Sequence, residues 1–342
     1  MAHQSPQHTA VHPLAGRSAW LITDGKMGMD VQVRGVADAL GVIAQAKRVA
    51  PSGAYRLLAP WGPAPRRETF GNDGLFHPPW PDIAIATGRL SIPYLRALRK
   101  KAGIRTFSVY LQDPRMGSRV ADLVWVPEHD GLRGTNVITT LTPPHSFSGA
   151  RLAELRSTIP AAIAALPGPR IAVILGGKNG VYKYTDACDD RLKASLRDLA
   201  KLGASFMITP SRRTHERLLR QVREATADAP RILWDGNGEN PYPHFLAHAD
   251  LLVVTADSVN MCGEACATGK PVYIFTPSGG SDKFARFHNA LNTHGATRSL
   301  PEHLDTIPHW SYQPIDAAGR IAAAIEDRWH KRKTMLGSLH QC

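Results

Sequence analysis

Five consecutive apolar residues, Ile171 to Leu175, run directly into Gly176-Gly177, and a third glycine follows at Gly180. This stretch limits the fold more than any other. A short unbroken apolar run closed by glycine reads as a strand covered on both faces, and such strands belong to parallel sheets with helices packed above and below. The same pattern recurs along the chain. "AWLIT" (19–23), "PDIAIAT" (81–87), "TFSVYL" (106–111), "ADLVWV" (121–126) and "NVITT" (136–140) precede it. "ASFMIT" (204–209), "RILW" (231–234), "ADLLVVT" (249–255) and "PVYIF" (271–275) follow it.

Helical patterns separate these runs. Val33, Val36, Ala37 and Leu40 share one face of a helix that Gly41 closes, and "DACDDRLKASLRDLAKLG" ends in the same way. Strand alternating with helix predicts an α/β fold with crossover connections. At 342 residues the chain exceeds one ordinary domain. Pro167-Gly168-Pro169 interrupts it near the middle. Each half then opens on a strand, a glycine loop and a helix, "LITDGKMG" in one and "VILGGKNG" in the other. The expectation is two Rossmann-like doubly wound domains, residues 18–155 and 170–315, joined by a linker at 156–169. They would face a cleft lined by the carboxyl ends of both sheets, where open α/β sheets bind ligands. Residues 1–17 and 335–342 read as tails, the first disordered, and 316–334 as a final helix, centred on Asp316 to Trp329. Residues 50–80, rich in Pro, Gly and Arg, read as an irregular excursion.

The formal charge is +12, and residues 1–160 hold 19 Lys+Arg against 11 Asp+Glu. Such a surplus suits an anionic partner, whether nucleic acid, an acidic membrane surface or a phosphate-bearing ligand, and equally suits plain solubility. Aromatic platforms and recognition-helix signals for nucleic acid are missing from the pattern. Arg96, Arg99, Lys100 and Lys101 read as the solvated end of a helix. Four cysteines in a chain of this length do not make a disulfide framework, and Cys262 and Cys266, four apart on a predicted helix, read as small packing residues. No metal site is expected. No apolar stretch reaches the ~20 residues of a spanning helix, and the opening residues lack a signal-peptide pattern. The expected location is cytoplasmic.

The loops after the strands hold the candidate chemistry. Gly176, Gly177, Lys178 and Asn179 could cradle phosphate with bare backbone N–H groups and one added charge, or form a tight turn and nothing more. In "VVTADSVNMCGEACATGKPVYIF", Ser258 or Asp257 can cap the following helix, whose first turn is an anion site. Glu264 lies on that helix, where it could accept hydrogen bonds from ribose hydroxyls or be an ordinary surface glutamate. Ser211, Arg212, Arg213 and Thr214 sit where a strand gives way to a helix, as a phosphate grip or a basic surface turn. In the first half, Asp24, Gly25, Lys26 and Gly28 follow the first strand. Gly88 and Arg89, then Gln112, Asp113 and Arg115, then His129, follow later ones.

Taken in order, "LITDGKMGMDVQVRGVADALG", "PDIAIATGRLSIPYLRALRK", "LQDPR", "DLVWVPEHDGLRGTNVI", "ILGGKNGVYKYT", "ITPSRRT" and "VVTADSVNMCGEACATGKPVYIF" resemble one family over roughly residues 18–330. It is the mitochondrial-fission family first recognised in plants by elongated mitochondria, which has many bacterial relatives. More distantly the layout is similar to GT-B glycosyltransferases such as the one that adds N-acetylglucosamine to the lipid-linked peptidoglycan precursor. That resemblance implies a nucleotide-diphosphate sugar bound on residues 167–315. Gly176 and Gly177 would form the donor-domain glycine loop, and Ser258 to Glu264 the helix whose glutamate holds the ribose. It also implies an acceptor, lipid-linked or envelope-bound, on the first domain, a final helix crossing back to that domain, and no required cofactor or metal. In relatives of the first loop a histidine often follows the glycine; here Met29 follows Gly28. Methionine can serve neither as base nor as phosphate contact, so a base role would pass to Asp24, Asp30 or Asp113. The plant members imply an alternative: a non-catalytic protein on the mitochondrial outer surface that recruits a dynamin-type GTPase. The corresponding expectation here is peripheral contact with an anionic membrane.

Overall fold

The structure, a computed structural model, describes residues 13–339. The expectations for residues 1–12 and 340–342, including Cys342, lie outside the described residues. The chain divides into two compact units, one running to Thr140 and resuming at Ala318, the other spanning Leu141–Ala317.

In the first unit the elements are β1 (Ser18–Thr23), α1 (Met27–Leu40), β2 (Ile43–Arg48), α2 (Gly53–Leu58), α3 (Arg66–Phe70), β3 (Ile83–Thr87), α4 (Ile92–Ala102), β4 (Phe107–Leu111), β5 (Leu123–Pro127) and β6 (Val137–Thr140). All six strands are parallel, in the order β2-β1-β3-β4-β5-β6. The order reverses between β1 and β3. Alternate strand residues feed two cores. Leu21, Ile83, Ile85, Val109 and Trp125 join α1 on one face. Ile22, Ala84, Ala86, Tyr110 and Val124 join α4 on the other. That two-sided burial explains why these strands read as unbroken apolar runs. Leu14 is 1% exposed and packs into the α1 core, so residues 13–17 are an ordered lead-in to β1 and not part of a tail.

The second unit contains α5 (Gly149–Ser157), α6 (Ala161–Ala164), β7 (Arg170–Leu175), β8 (Tyr182–Lys183), α7 (Asp186–Lys201), β9 (Ser205–Pro210), α8 (Glu216–Ala225), β10 (Arg231–Leu233), α9 (Tyr242–His248), β11 (Leu251–Thr255), α10 (Val259–Cys266), β12 (Val272–Phe275), β13 (Ser278–Gly279), α11 (Asp282–Thr293) and β14 (Thr297–Ser299). Its main sheet is also parallel, in the order β10-β9-β7-β11-β12-β14, and reverses between β7 and β11. β8 and β13 form a small antiparallel ribbon beside it. Ala172, Ile174, Leu252 and Val254 face α9, α10 and α11. Ile171, Val173, Leu175 and Val253 face α7 and α8.

Both units are therefore doubly wound α/β sheets of Rossmann type. Residues 141–155, grouped with the first domain on sequence grounds, fall in the second unit, because Leu152 and Leu155 of α5 bury against Ala247 and Ala267. The last helix, α12, runs Ala317–Leu339, ten residues past Trp329, and its Ile321, Ala322, Ile325 and Trp329 complete the α1 core of the first unit. Among the described residues no helix is long and apolar enough to cross a membrane.

Candidate functional site

In the second unit the loops after β7 and β11 meet where the strand order reverses, the usual binding edge of an open parallel sheet. Their centre is Asp257, whose carboxylate is fully buried. Asp257 Oδ2 accepts the Gly177 N–H at 3.0 Å and Arg213 Nη2 at 3.0 Å. Asp257 Oδ1 accepts Tyr184 OH at 2.7 Å and Thr255 Oγ1 at 2.7 Å. Thr255 Oγ1 also accepts the Gly176 N–H at 2.7 Å. A buried carboxylate with four donors, one of them a guanidinium, is the stable way to place such a charge away from water.

This geometry changes the reading of the glycine loop. The N–H groups of Gly176 and Gly177, expected to face a phosphate, are held by the protein's own oxygens. Glycine is nonetheless required at both positions. A Cβ on Gly176 would overlap the Asp257 carboxylate, and one on Gly177 would overlap the Arg213 carbonyl. Asn179 is a brace: its Nδ2 donates to the Asp257 carbonyl at 3.1 Å, and its Oδ1 accepts from the N–H groups of Val181 and Tyr182. Lys178 is exposed. Ser211 closes the turn after β9 by bonding with Thr214 and accepting from Arg213 N–H. Arg212 is exposed, and it is the neighbouring Arg213 that reaches the Asp257 cluster.

Ser258, not Asp257, caps α10, its hydroxyl accepting from Met261 N–H at 3.4 Å. Glu264 is not a surface glutamate. It is 7% exposed, and burial raises its carboxyl to about 7, against the hydrogen bond that Tyr242 OH donates to Oε2. Tyr242, on α9, is itself pushed well above its ordinary value, first by burial and then by the Glu264 charge. Cys262 and Cys266 are buried free thiols on the same helix. His145 is 3% exposed and is held down to about 4 by burial, which keeps its imidazole neutral. The second unit thus combines a capped helix N-terminus, a half-exposed arginine anchored beside it, and a buried carboxyl further along the same helix.

In the first unit the loops after β1, β3 and β4 converge on α1. Met29 lies against Gly88, where a Cβ would come within 2.6 Å of its sulfur, and Gly88 adopts φ +85°. Gln112, at φ 94°, donates through Nε2 to Gln32 Oε1 of α1 at 3.2 Å. Each acidic candidate for a base is already engaged. Asp24 pairs with Lys26 at 2.6 Å, and Asp113 Oδ1 accepts the Arg115 N–H at 2.8 Å. Asp30 accepts from Thr23 Oγ1 and pairs with Arg48. Gly25 donates its N–H to Thr23 Oγ1, and Gly28 lies in the first turn of α1. Arg115 is exposed at φ 56°, and His129 is half-buried after β5. Arg89 departs from the expected lining, because its guanidinium donates to the Ala59 carbonyl and secures the 50–80 excursion instead.

The family model described as mitochondrial fission ELM1 matches residues 27–329. The mitochondrial fission protein ELM1 of Arabidopsis thaliana is 31% identical over 283 residues, covering 76% of this chain and 65% of the plant protein. An uncharacterised protein of Rickettsia prowazekii is 30% identical over 161 residues, 45% of each chain. The chain therefore spans less than two thirds of the length of these relatives. Among solved structures, MurG of Acinetobacter baumannii is similar at 14% identity and a TM-score of 0.49, covering 93% of this chain and 95% of that one. A UDP-GlcNAc 2-epimerase of Neisseria meningitidis, solved bound to UDP-GlcNAc, is similar at 12% identity and 0.48, covering 95% and 100%.

Proposed function

The chain belongs to the mitochondrial fission ELM1 family, and we propose that its second unit binds a nucleotide-diphosphate sugar at the β7/β11 edge. The observation that carries this reading is Glu264. A carboxyl buried to 7% exposure, six residues along a helix from the capping Ser258, stands about 9 Å from the helix N-terminus at ~1.5 Å per residue. That is the span from the diphosphate to the ribose of a nucleotide. The diphosphate would take the N-terminus of α10, where first-turn N–H groups and the helix dipole favour an anion. Arg213, fixed by Asp257 yet half-exposed, and Arg212 and Lys178 beside it would add positive charge. The ribose hydroxyls would donate to Glu264.

The glycine loop has a different part in this proposal from the one its sequence suggested. Gly177 and Asn179 hold Asp257 directly, Gly176 holds it through Thr255, and Asp257 holds Arg213. Recognition of the nucleotide sugar is better supported than its transfer. Asp24, Asp30 and Asp113 are each bonded within the first unit, and Met29 offers no base. Transfer to a lipid-linked or envelope acceptor would require one of these carboxylates to take the acceptor's proton on a lone pair that its present bonds leave open.

The test is thermal melting with a panel of nucleoside diphosphates and their sugars. At a hundredfold excess over the dissociation constant, a ligand stabilises by about 2.7 kcal/mol. At least one compound should give that rise, and Glu264→Ala should remove it. A panel that leaves the melting temperature unchanged refutes the proposal. A hydrolysis assay on any compound that binds then separates recognition from turnover.

A further inference from the structure

The first unit contains a cavity that the nucleotide site does not use. A groove of about 980 Å³ lies between α3 and α4, a volume typical of small-molecule sites. Arg66 and Arg67 of α3 line it together with Arg96, Lys100 and Lys101 of α4, and Phe70 lies among them. Its lining, among the described residues, includes no aspartate or glutamate. Five cations therefore face one concavity whose walls hold no counter-charge.

The fold divides the basic end of α4. Arg99 is directed elsewhere: it donates to the carbonyls of Arg119 and Val120 at 2.9 Å and pairs with Asp122 at 3.5 Å. Arg96 and Lys100, one turn apart on the helix, share the groove face. Arg96 Nη1 donates to the Trp61 carbonyl at 2.9 Å, and Lys101 Nζ lies 5.7 Å from the centre of the Phe70 ring. Arg66, Arg67 and Lys100 form no ion pair among the described residues. The two walls are tied to each other. Glu68, the carboxylate of α3, accepts the Tyr94 hydroxyl of α4 at 2.6 Å, and Phe70 packs edge-on against Phe76 and Trp80. Like charges fixed in a concave wall repel one another and concentrate a positive potential there, which an anion in the groove relieves.

We propose that the α3/α4 groove binds a compact soluble ligand of several linked phosphates, of the class of linear oligophosphates and polyphosphorylated polyols. Arg66 and Arg67 grip phosphate oxygens through paired N–H groups, and Lys100 adds a point charge from the opposite wall. Each phosphate brings more than one negative charge and three acceptor oxygens, so a few of them match this density of cations where single carboxylates do not. Nucleic acid would need free aromatic faces along an extended track. Phe70 is the aromatic residue of the lining, and its ring is already engaged by Lys101, Phe76 and Trp80. Recognition in the groove therefore rests on charge and not on stacking.

The test is isothermal titration of the full chain with inorganic tripolyphosphate. It should bind at least about tenfold more tightly than orthophosphate, because one phosphate cannot reach both walls. Its affinity should fall as ionic strength rises. Arg66→Gln together with Arg67→Gln should weaken it about a hundredfold, at roughly tenfold for each charged group lost. The melting temperature of that double variant should match the parent, because both side chains are exposed. Arg56→Gln removes a cation of α2 outside the groove lining and should change the affinity by no more than about twofold. Equal affinity for orthophosphate, a double variant that binds like the parent, or an equal loss in Arg56→Gln would each overturn the proposal. Oligoglutamate that binds more tightly than tripolyphosphate would assign the groove to an acidic protein segment and overturn it. Retention on phosphatidylglycerol vesicles that tripolyphosphate does not displace would assign it to lipid and overturn it as well. None of these substitutions touches the second unit, so the nucleotide site and the groove can fail separately.

Discussion

Replacing Glu264 by Gln tests the site through its electrostatics before any ligand is known. Burial raises this carboxyl from 4.5 to about 7. Between those values the folded chain holds a proton that the unfolded chain has lost. Stability therefore falls as pH rises through the window, and the full loss is reached above the folded value. A shift of 2.5 units corresponds to roughly 3 kcal/mol at 1.36 kcal/mol per unit. Gln keeps the shape and can still accept from Tyr242 OH, but it carries no charge at any pH. At about pH 5 the variant should melt with the parent. At about pH 8 it should be more stable by up to roughly 3 kcal/mol, a rise of about 6 °C or more for a unit of this size. The assay is thermal melting of both proteins at steps across that range. Two curves with a constant offset, or a variant less stable at high pH, would show that Glu264 is not a desolvated acid and would remove the basis for its proposed role. The same ionisation gives a ligand its pH dependence. Ribose hydroxyls donate best to the charged form, so nucleotide affinity should rise with pH through 7 in the parent and stay flat in Glu264→Gln.

Gly177→Ala should lower the melting temperature and Gly180→Ala should leave it in place, since a Cβ overlaps the Arg213 carbonyl at the first position and meets open space at the second. Asp257→Asn should cost about 1–3 kcal/mol, because one amide oxygen cannot accept from all four donors that the carboxylate satisfies; urea unfolding measures it, and a change under about 0.5 kcal/mol would show that the cluster is not the anchor described.

The sheet strands are readable because nearly every residue of β3, β4, β7 and β11 is buried on one face or the other, leaving continuous apolar runs, two of them (β3 and β7) closed by glycine. β14, three residues with two exposed, has no such run, and the β8/β13 ribbon depends on pairing across ninety-odd positions. α11 does carry a local signal, since Ser281 caps it and Phe284, Phe287 and Leu291 fall at helical spacing. α9 opens on Pro241 and Pro243, which weaken a helix signal although they stand at the start of the helix, where proline is tolerated. Glu264 could be picked out because its distance from Ser258 is local. Tyr242 could not, because its bond to Glu264 joins two helices through the fold. The choice between Arg212 and Arg213 likewise turns on which side chain points inward after β9, and two adjacent arginines carry no signal for that.

The glycines that follow β3 and β7 share a physical role that differs from the obvious one. In the second unit the space left by Gly176 and Gly177 is filled by a carboxylate and a carbonyl of the same chain. In the first unit the open side of Gly88 is filled by Met29. A bare Cα admits any close neighbour, whether ligand or protein, so a glycine after a parallel strand locates the binding edge without identifying what occupies it. In this chain the Gly176 and Gly177 amides are spent on Thr255 and Asp257, and under the proposed site the ligand would meet Arg213 and its basic neighbours, the α10 N-terminus and Glu264. On that reading recognition would pass through groups around the glycine loop and not through the amides of Gly176 and Gly177.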